Sequence, residues 1–224
     1  MTKVYQISHL HQPEGWLSPG YLYVNTCGII EAVEKQAPVD NKVINVPGFA
    51  LPGFANLHSH AFQRAMAGRT EYTSDAVTDD TFWTWRQFMY DFVMRLTPEQ
   101  YGTIGAFVYL EMLKAGFTLV GEFHYVHHSP DGTRYTNRSE MAERLIMAAN
   151  RTGISLRMLP VLYAHAGIGL PPTDEQRRFA YTDTDEFLSL VDLIRTKTKH
   201  DASIETGVGI HSLRAVNPRE LSIV

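Results

Sequence analysis

Over residues 1–47 the apolar positions come in short bursts, KVYQISHL, GYLYVNTCGIIEAVEK and KVINVPG, separated by Pro, Gly and Asn. Runs of this kind, rich in Val, Ile and Tyr and bounded by turn residues, predict the strands of a small β unit. From residue 48 the rhythm changes to strand-length apolar runs that alternate with longer helical segments. GFALPGFANLH predicts a first, buried strand. TFWTWRQFMYDFVMRL and TPEQYGTIGAFVYLEMLKAG predict two helices. The second of these has Thr97 as its N-cap, Pro98 at the first helical position, Glu99 in the first turn and Gly116 at its close. Ile104, Phe107, Val108 and Glu111 are predicted to form its packed face. FTLVGEFHYV, ISLRMLPVLYA and ETGVGIHSL predict three further strands. Helices over SEMAERLIMAANRTG and TDTDEFLSLVDLIRTKTK separate them, the latter capped by a Thr or Asp. Asn217 and Pro218 open one more helix.

Strand and helix in this alternation argue for parallel βαβ units. An eight-stranded (β/α)8 TIM barrel takes about 250 residues by itself, whereas this chain has 224 in all. The pattern predicts an α/β fold holding about the first four βα units of such a barrel over residues 48–224, after a small β unit over residues 1–47. The chain is expected to stop in the middle of that fold.

Composition narrows the partners. The net charge of -4 and the absence of a basic block give no reason to expect nucleic acid. A single cysteine, Cys27, cannot form an internal disulfide, which fits a reducing compartment. No apolar run approaches the roughly 18 residues of a membrane span, and the N-terminus lacks the apolar core of a signal peptide. A soluble, cytoplasmic protein that binds a small molecule, with a homodimer as one assembly, is the expectation.

The chemistry-bearing positions cluster at predicted strand ends. NLHSHAFQR, at residues 56–64, places His58 and His60 one residue apart. In extended chain, residues i and i+2 point the same way, so both imidazoles can reach one metal ion at about 2.1 Å. A bare His-x-His also suits a polar turn. Its place at the end of the first barrel strand, where a TIM barrel carries its active site, favours the metal. Gln63 lies close enough to reach something bound there, or else simply opens an exposed helix. Arg86 sits among Phe82, Trp83, Trp85 and Phe88 and needs an anionic partner, a structural Asp or Glu or a ligand's carboxylate. GEFHYVHH ends the second strand with Glu122, His124, Tyr125, His127 and His128. Tyr125 is suited to hydrogen-bond a ligand, and most of the others read as loop or supporting groups. GVGIHSLRAV ends the fourth strand with His211 and Arg214. An arginine fork there suits a carboxylate ligand or a neighbouring loop's acid.

Together, LPGFANLHSHAFQRAMAG, FWTWR, GEFHYVHH and GIHSLRAV resemble the formimidoylglutamate deiminase family of the amidohydrolase superfamily, over nearly the whole chain. The resemblance implies a metal-dependent-hydrolase TIM barrel beside a small β-sandwich, and one Zn2+ per complete active site. It implies hydrolysis of the C=N bond of N-formimino-L-glutamate to N-formyl-L-glutamate and ammonia, in histidine degradation. His58 and His60 match zinc ligands, and Gln63, Arg86, Tyr125, His211 and Arg214 match substrate-binding residues. His211 thus belongs to the substrate side, not the metal. The family's other metal ligands (a His and an Asp) and its proton-shuttling Glu would lie beyond Val224, so no catalytic residue is assigned here and the chain alone is expected to be inactive. The alternatives are a related amidohydrolase acting on a ring such as guanine or a triazine, and a non-catalytic truncated product.

Overall fold

The computed structural model describes residues 2–39, 42–70 and 81–224. Its contacts divide the chain into two units, residues 1–53 and 54–224.

The first unit is a five-stranded sheet. Its longest strand, β1 (Lys3–Gln12), pairs antiparallel with β2 (Gly15–Leu17) and β3 (Gly20–Val24), and β3 pairs with β4 (Ile30–Glu34). Strand β5 (Val43–Ala50) runs parallel to β1, with Val4 opposite Val43 and Leu10 opposite Ala50. Val4, Ile7 and Leu10 are the buried side chains of β1; their spacing of three departs from strict alternation, and the register with β5 shifts between Ile7 and His9.

The second unit is built on a parallel sheet. Strand β6 (Phe54–Ser59) pairs with β7 (Phe117–His124), and β7 pairs with β8 (Ser155–Leu162). Next to β8 come the short strands β9 (Ile204–Thr206) and β10 (Gly209–Ile210). Between the strands lie α1 (Phe82–Val93), α2 (Pro98–Lys114), α3 (Glu140–Thr152) and α4 (Thr184–Thr198), and α5 (Pro218–Ile223) follows β10. Val120 on β7 and Leu156 and Met158 on β8 are fully buried, which places the core at the centre of the sheet.

The helix starts follow the local chemistry. The Thr97 hydroxyl accepts from Gln100 N at 3.2 Å, while the Gln100 side chain accepts from Thr97 N at 3.0 Å, two otherwise orphaned donors satisfied reciprocally. Asp183 caps α4 by accepting from Asp185 N and Glu186 N, and Asn217 caps α5 by accepting from Glu220 N.

Three predicted features differ. First, GFALPGFANLH is not one buried strand. Residues 48–50 end β5 in the first unit, β6 begins only at Phe54, and Pro52, which has no N–H to give a ladder, lies in the break. Phe49 on β5 is 73% exposed, and Phe54 and Leu57 on β6 are 61% and 77% exposed, β6 having a strand on one side only among the described residues. Second, the buried positions of α2 are Tyr101, Gly105, Val108 and Tyr109. Phe107 is exposed under the Arg64 guanidinium, and Glu111 pairs with Arg64 at 2.9 Å. Gly105 sets this rotation, since a Cβ there would stand 2.6 Å from Leu145 Cδ2 on α3. Third, the fourth strand is split at Gly207 and Val208, where a Cβ on Gly207 would meet Leu159 Cδ2 at 2.7 Å. No helix among the described residues is long and apolar enough to cross a membrane.

Candidate active site

The C-terminal ends of β6, β7, β8 and β10 open on one cavity of about 200 Å³. His60, Gln63, Arg86, Tyr125, His211 and Arg214 all line it, joined by Tyr90 and Tyr163 and by an apolar wall that includes Trp85 and Phe179. The fold therefore brings six sequence-predicted residues to one place, and Arg86 and Arg214 share it.

His58 reaches the site through His60. Their Nε2 atoms are 3.0 Å apart, close enough for both to reach a single ion at about 2.1 Å each. His60 Nδ1 lies 3.1 Å from the Phe123 carbonyl, to which it can only donate. The proton on Nδ1 leaves the Nε2 lone pair free toward His58. Burial, with His58 adding to it and the Phe123 carbonyl opposing, brings the His60 imidazole down to about 4. It is therefore neutral at pH 7, the form that binds metal. The donor set thus fits part of a zinc site. Among the described residues no group of three or more His, Cys, Asp or Glu side chains is arranged to hold a metal ion.

Just after His60 the chain turns through a 3-10 segment, Ala61–Met66, that carries Gln63. Glu122 on β7 anchors the turn: its buried carboxylate accepts from Ala61 N at 2.8 Å. Burial pushes this carboxyl up to about 7, against the pull of Ala61 N–H, Ser59 and Tyr109. Gln63 Nε2 donates to the Tyr125 hydroxyl oxygen at 3.0 Å, which leaves the Tyr125 proton to donate elsewhere. Burial raises that phenol well above its ordinary range, so it stays protonated.

Arg86 has no carboxylate partner among the described residues. Its Nε donates to Tyr90 Oη at 2.8 Å, and its guanidinium stacks 5.0 Å from the Tyr90 ring and 5.5 Å from the Trp83 ring. Arg214 likewise forms no ion pair among the described residues. Two half-buried cations facing one small cavity favour an anionic ligand. His211 sits beside them, held by its N–H to Leu162 O at 3.0 Å. Burial first, then Arg214, His60 and Arg86, bring its ring down to about 4, so it is a neutral polar group at pH 7.

The other groups of GEFHYVHH are structural. His124 pairs with Tyr101 Oη at 3.1 Å, His127 with Val161 O at 3.1 Å and His128 with Ala180 O at 3.0 Å, all buried. Tyr90, Tyr163 and Gln176 carry site geometry without having been read from the sequence. Tyr163 directly follows β8, as Tyr125 follows β7, and Thr173–Gln176 has the spacing of a capping box.

Comparison with known proteins gives the family and agrees with the fold. Residues 49–223 match the amidohydrolase family. The chain is 43% identical over 212 residues to formimidoylglutamate deiminase of Pseudomonas aeruginosa, covering 95% of this chain and 46% of that protein. The crystal structure of an amidohydrolase from Brucella melitensis superimposes with a TM-score of 0.87 at 40% identity, covering 98% of this chain and 48% of that one. Atrazine chlorohydrolase from Arthrobacter aurescens, complexed with zinc, shares the fold with a TM-score of 0.70 at 18% identity, over 97% of this chain and 48% of that one. The chain spans about half the length of the relatives it matches. With the family matched over most of its length and the strand ends converging as described, the chain belongs to the amidohydrolase family.

Proposed function

We propose that this chain contributes the carboxylate grip and two zinc ligands to a deiminase. The reaction is hydrolysis of the C=N bond of N-formimino-L-glutamate to N-formyl-L-glutamate and ammonia, a step of histidine degradation. The observation that carries this reading is the pair Arg86 and Arg214, two guanidiniums lining one cavity with no carboxylate of their own among the described residues. A substrate with two carboxylates supplies what they lack, whereas a neutral ring does not. On this reading residues 54–224 form about the first four βα units of a TIM barrel, and the preceding sheet is part of a small β-sandwich.

Each residue then has a defined task. His58 and His60 would hold the zinc ion through their Nε2 atoms. Bound zinc supplies Lewis-acid activation of water at neutral pH. Arg86 and Arg214 grip the carboxylates, and the Tyr125 proton, freed by Gln63, donates to the formimino end. Neutral His211 orients the substrate without adding a third positive charge. The chain spans about half the length of the relatives it matches, and in this proposal the remaining metal ligands and the group that carries a proton to the departing ammonia belong to the other half of such an enzyme.

The test measures zinc content and ammonia release from N-formimino-L-glutamate on the same samples, for this chain and for a form extended through the following βα units. About one zinc and ammonia release in the extended form, with neither in the short form, is the expected result. A short chain that is zinc-loaded and active overturns the division of labour. An extended form that holds zinc but ignores this substrate overturns the substrate assignment.

A further inference from the structure

We propose that Tyr163 is a further substrate-binding residue, donating its hydroxyl proton to a substrate carboxylate, and that Gln176 is the residue that positions it. The inference rests on the carboxylate-binding reading of the cavity and adds a neutral donor to its two cations.

Tyr163 directly follows β8 and is buried, its ring centroid 4.4 Å from that of His211, in the cavity lined by Arg86 and Arg214. Behind it lies Gln176, which is fully buried. An amide in such a place can offer either face to its neighbours, and the backbone decides which. Thr173 N–H donates to Gln176 Oε1 at 3.0 Å, so the NH2 group must face the phenols. It donates to Tyr163 Oη at 3.0 Å and to Tyr90 Oη at 3.3 Å.

This fixes the direction of the remaining protons. The Tyr90 oxygen accepts from Gln176 and, at 2.8 Å, from Arg86 Nε, which uses both its lone pairs. The Tyr163 oxygen accepts from Gln176, so its own hydrogen points away from the amide. Tyr90 also hydrogen-bonds Tyr163; with both its lone pairs taken, it donates to the Tyr163 oxygen rather than accepting from it, and the Tyr163 proton is turned to the cavity. Burial, with Tyr90 adding to it and Arg86 and Arg214 opposing, pushes the Tyr163 hydroxyl up to about 12, so the proton stays in place at neutral pH. Through Tyr90 the same amide also steadies Arg86. A carboxylate drawn in by the two arginines would meet this third, uncharged donor.

The experiment uses the zinc-loaded enzyme expressed from its whole gene and compares N-formimino-L-glutamate with formamidine, which has the reacting group and no carboxylate. Tyr163→Phe removes only the hydroxyl. Gln176→Glu keeps the size and the acceptor for Thr173 N–H but replaces the N–H donor with an acceptor, which would draw the Tyr163 proton inward. For both variants the ratio of kcat/KM on the dicarboxylate to kcat/KM on formamidine should fall about 10- to 100-fold, as loss of a hydrogen bond to a charged group implies. The change should lie mainly in KM. Equal losses on both substrates would mean a purely structural role and overturn the proposal, as would an unchanged ratio. If the unaltered enzyme releases ammonia from formamidine but not from the dicarboxylate, the functional reading itself fails, and this inference with it.

Discussion

Arg178 is fully buried and has no carboxylate partner among the described residues, an arrangement that should be costly unless neutral groups solvate it. They do. Its Nε donates to His128 O at 2.9 Å and one Nη to Leu96 O at 2.8 Å; the other Nη donates to Val93 O, the last residue of α1. The cation therefore sits at the negative end of the α1 dipole. Its own carbonyl accepts from His127 N and His128 N, so one residue ties the helix that carries Arg86 to the loop after Tyr125. Arg178→Met keeps most of the apolar stem and strips the His128 and Leu96 carbonyls of the arginine, while Val93 O keeps the Leu96 N–H at 3.2 Å. At about 1–3 kcal/mol for each of the two, the gross loss is about 2–6 kcal/mol. Relief from holding a cation out of water returns part of it, for a net destabilisation of about 2–4 kcal/mol. Arg178→Lys keeps the charge without the planar fork and should lose about half as much. Urea unfolding followed by tryptophan fluorescence suits the measurement, since Trp83 and Trp85 both lie on α1. A Met variant within about 0.5 kcal/mol of the parent, a difference typical of a surface change, would refute the reasoning, because the His128 and Leu96 carbonyls would then need no partner.

Two further substitutions probe the frame of the site. Gly105→Ala gains about 1 kcal/mol of helix propensity but puts a Cβ 2.6 Å from Leu145 Cδ2 in the seam of α2 and α3. Overpacking of that kind costs about 1–3 kcal/mol, so the variant should melt a few degrees lower, and a higher Tm would show that the seam yields. Glu122→Gln tests the buried carboxyl. Its folded value of about 7 lies above the ordinary 4.5, so the native protein binds the extra proton between those values and this group's contribution falls as pH rises through them. The stability of Glu122→Gln relative to the parent should therefore climb between pH 4.5 and 7, by about 3 kcal/mol at most, and level off above. A difference that stays flat across that range in denaturant titrations would mean the carboxyl is ionised throughout.

How far the fold could be read from the sequence depended on whether the deciding interaction was local. Thr97, Pro98 and Gln100 form a self-contained cap, so the start of α2 was legible residue by residue. Its packed face was legible only in part. Val108 is buried as expected and Ile104 packs against the core, but Phe107 is exposed and the helix turns Gly105 inward, where only a residue without a Cβ lets Leu145 approach. Hydrophobic periodicity ranks residues by side chain and gives no weight to the one that has none. The run from Gly48 to His58 failed for a related reason. Its apolar residues promised a covered strand, but coverage is supplied by other elements, and among the described residues β6 has a strand neighbour only at β7.

The site was legible to the extent that its residues sit at strand ends, where parallel topology alone gathers them. His60, Tyr125 and His211 needed nothing more than the positions of β6, β7 and β10. Arg86 lies on a helix, and the sequence left its partner open between a structural acid and a ligand. The structure closes the first option among the described residues, since its near neighbours are a tyrosine oxygen and two aromatic faces. Tyr163 occupies the same kind of strand-end position as Tyr125, so its omission was a matter of weighting. Gln176 is different. Its consequence depends on an amide fixed by Thr173 some 13 residues past Tyr163 and 86 past Tyr90, separations over which no local pattern speaks. Direct ligand contacts can be found by asking which residue type suits a ligand at a strand end. The orientation of a proton beneath them is set by contacts distant in sequence, and it becomes visible only once every donor and acceptor in the pocket has been assigned.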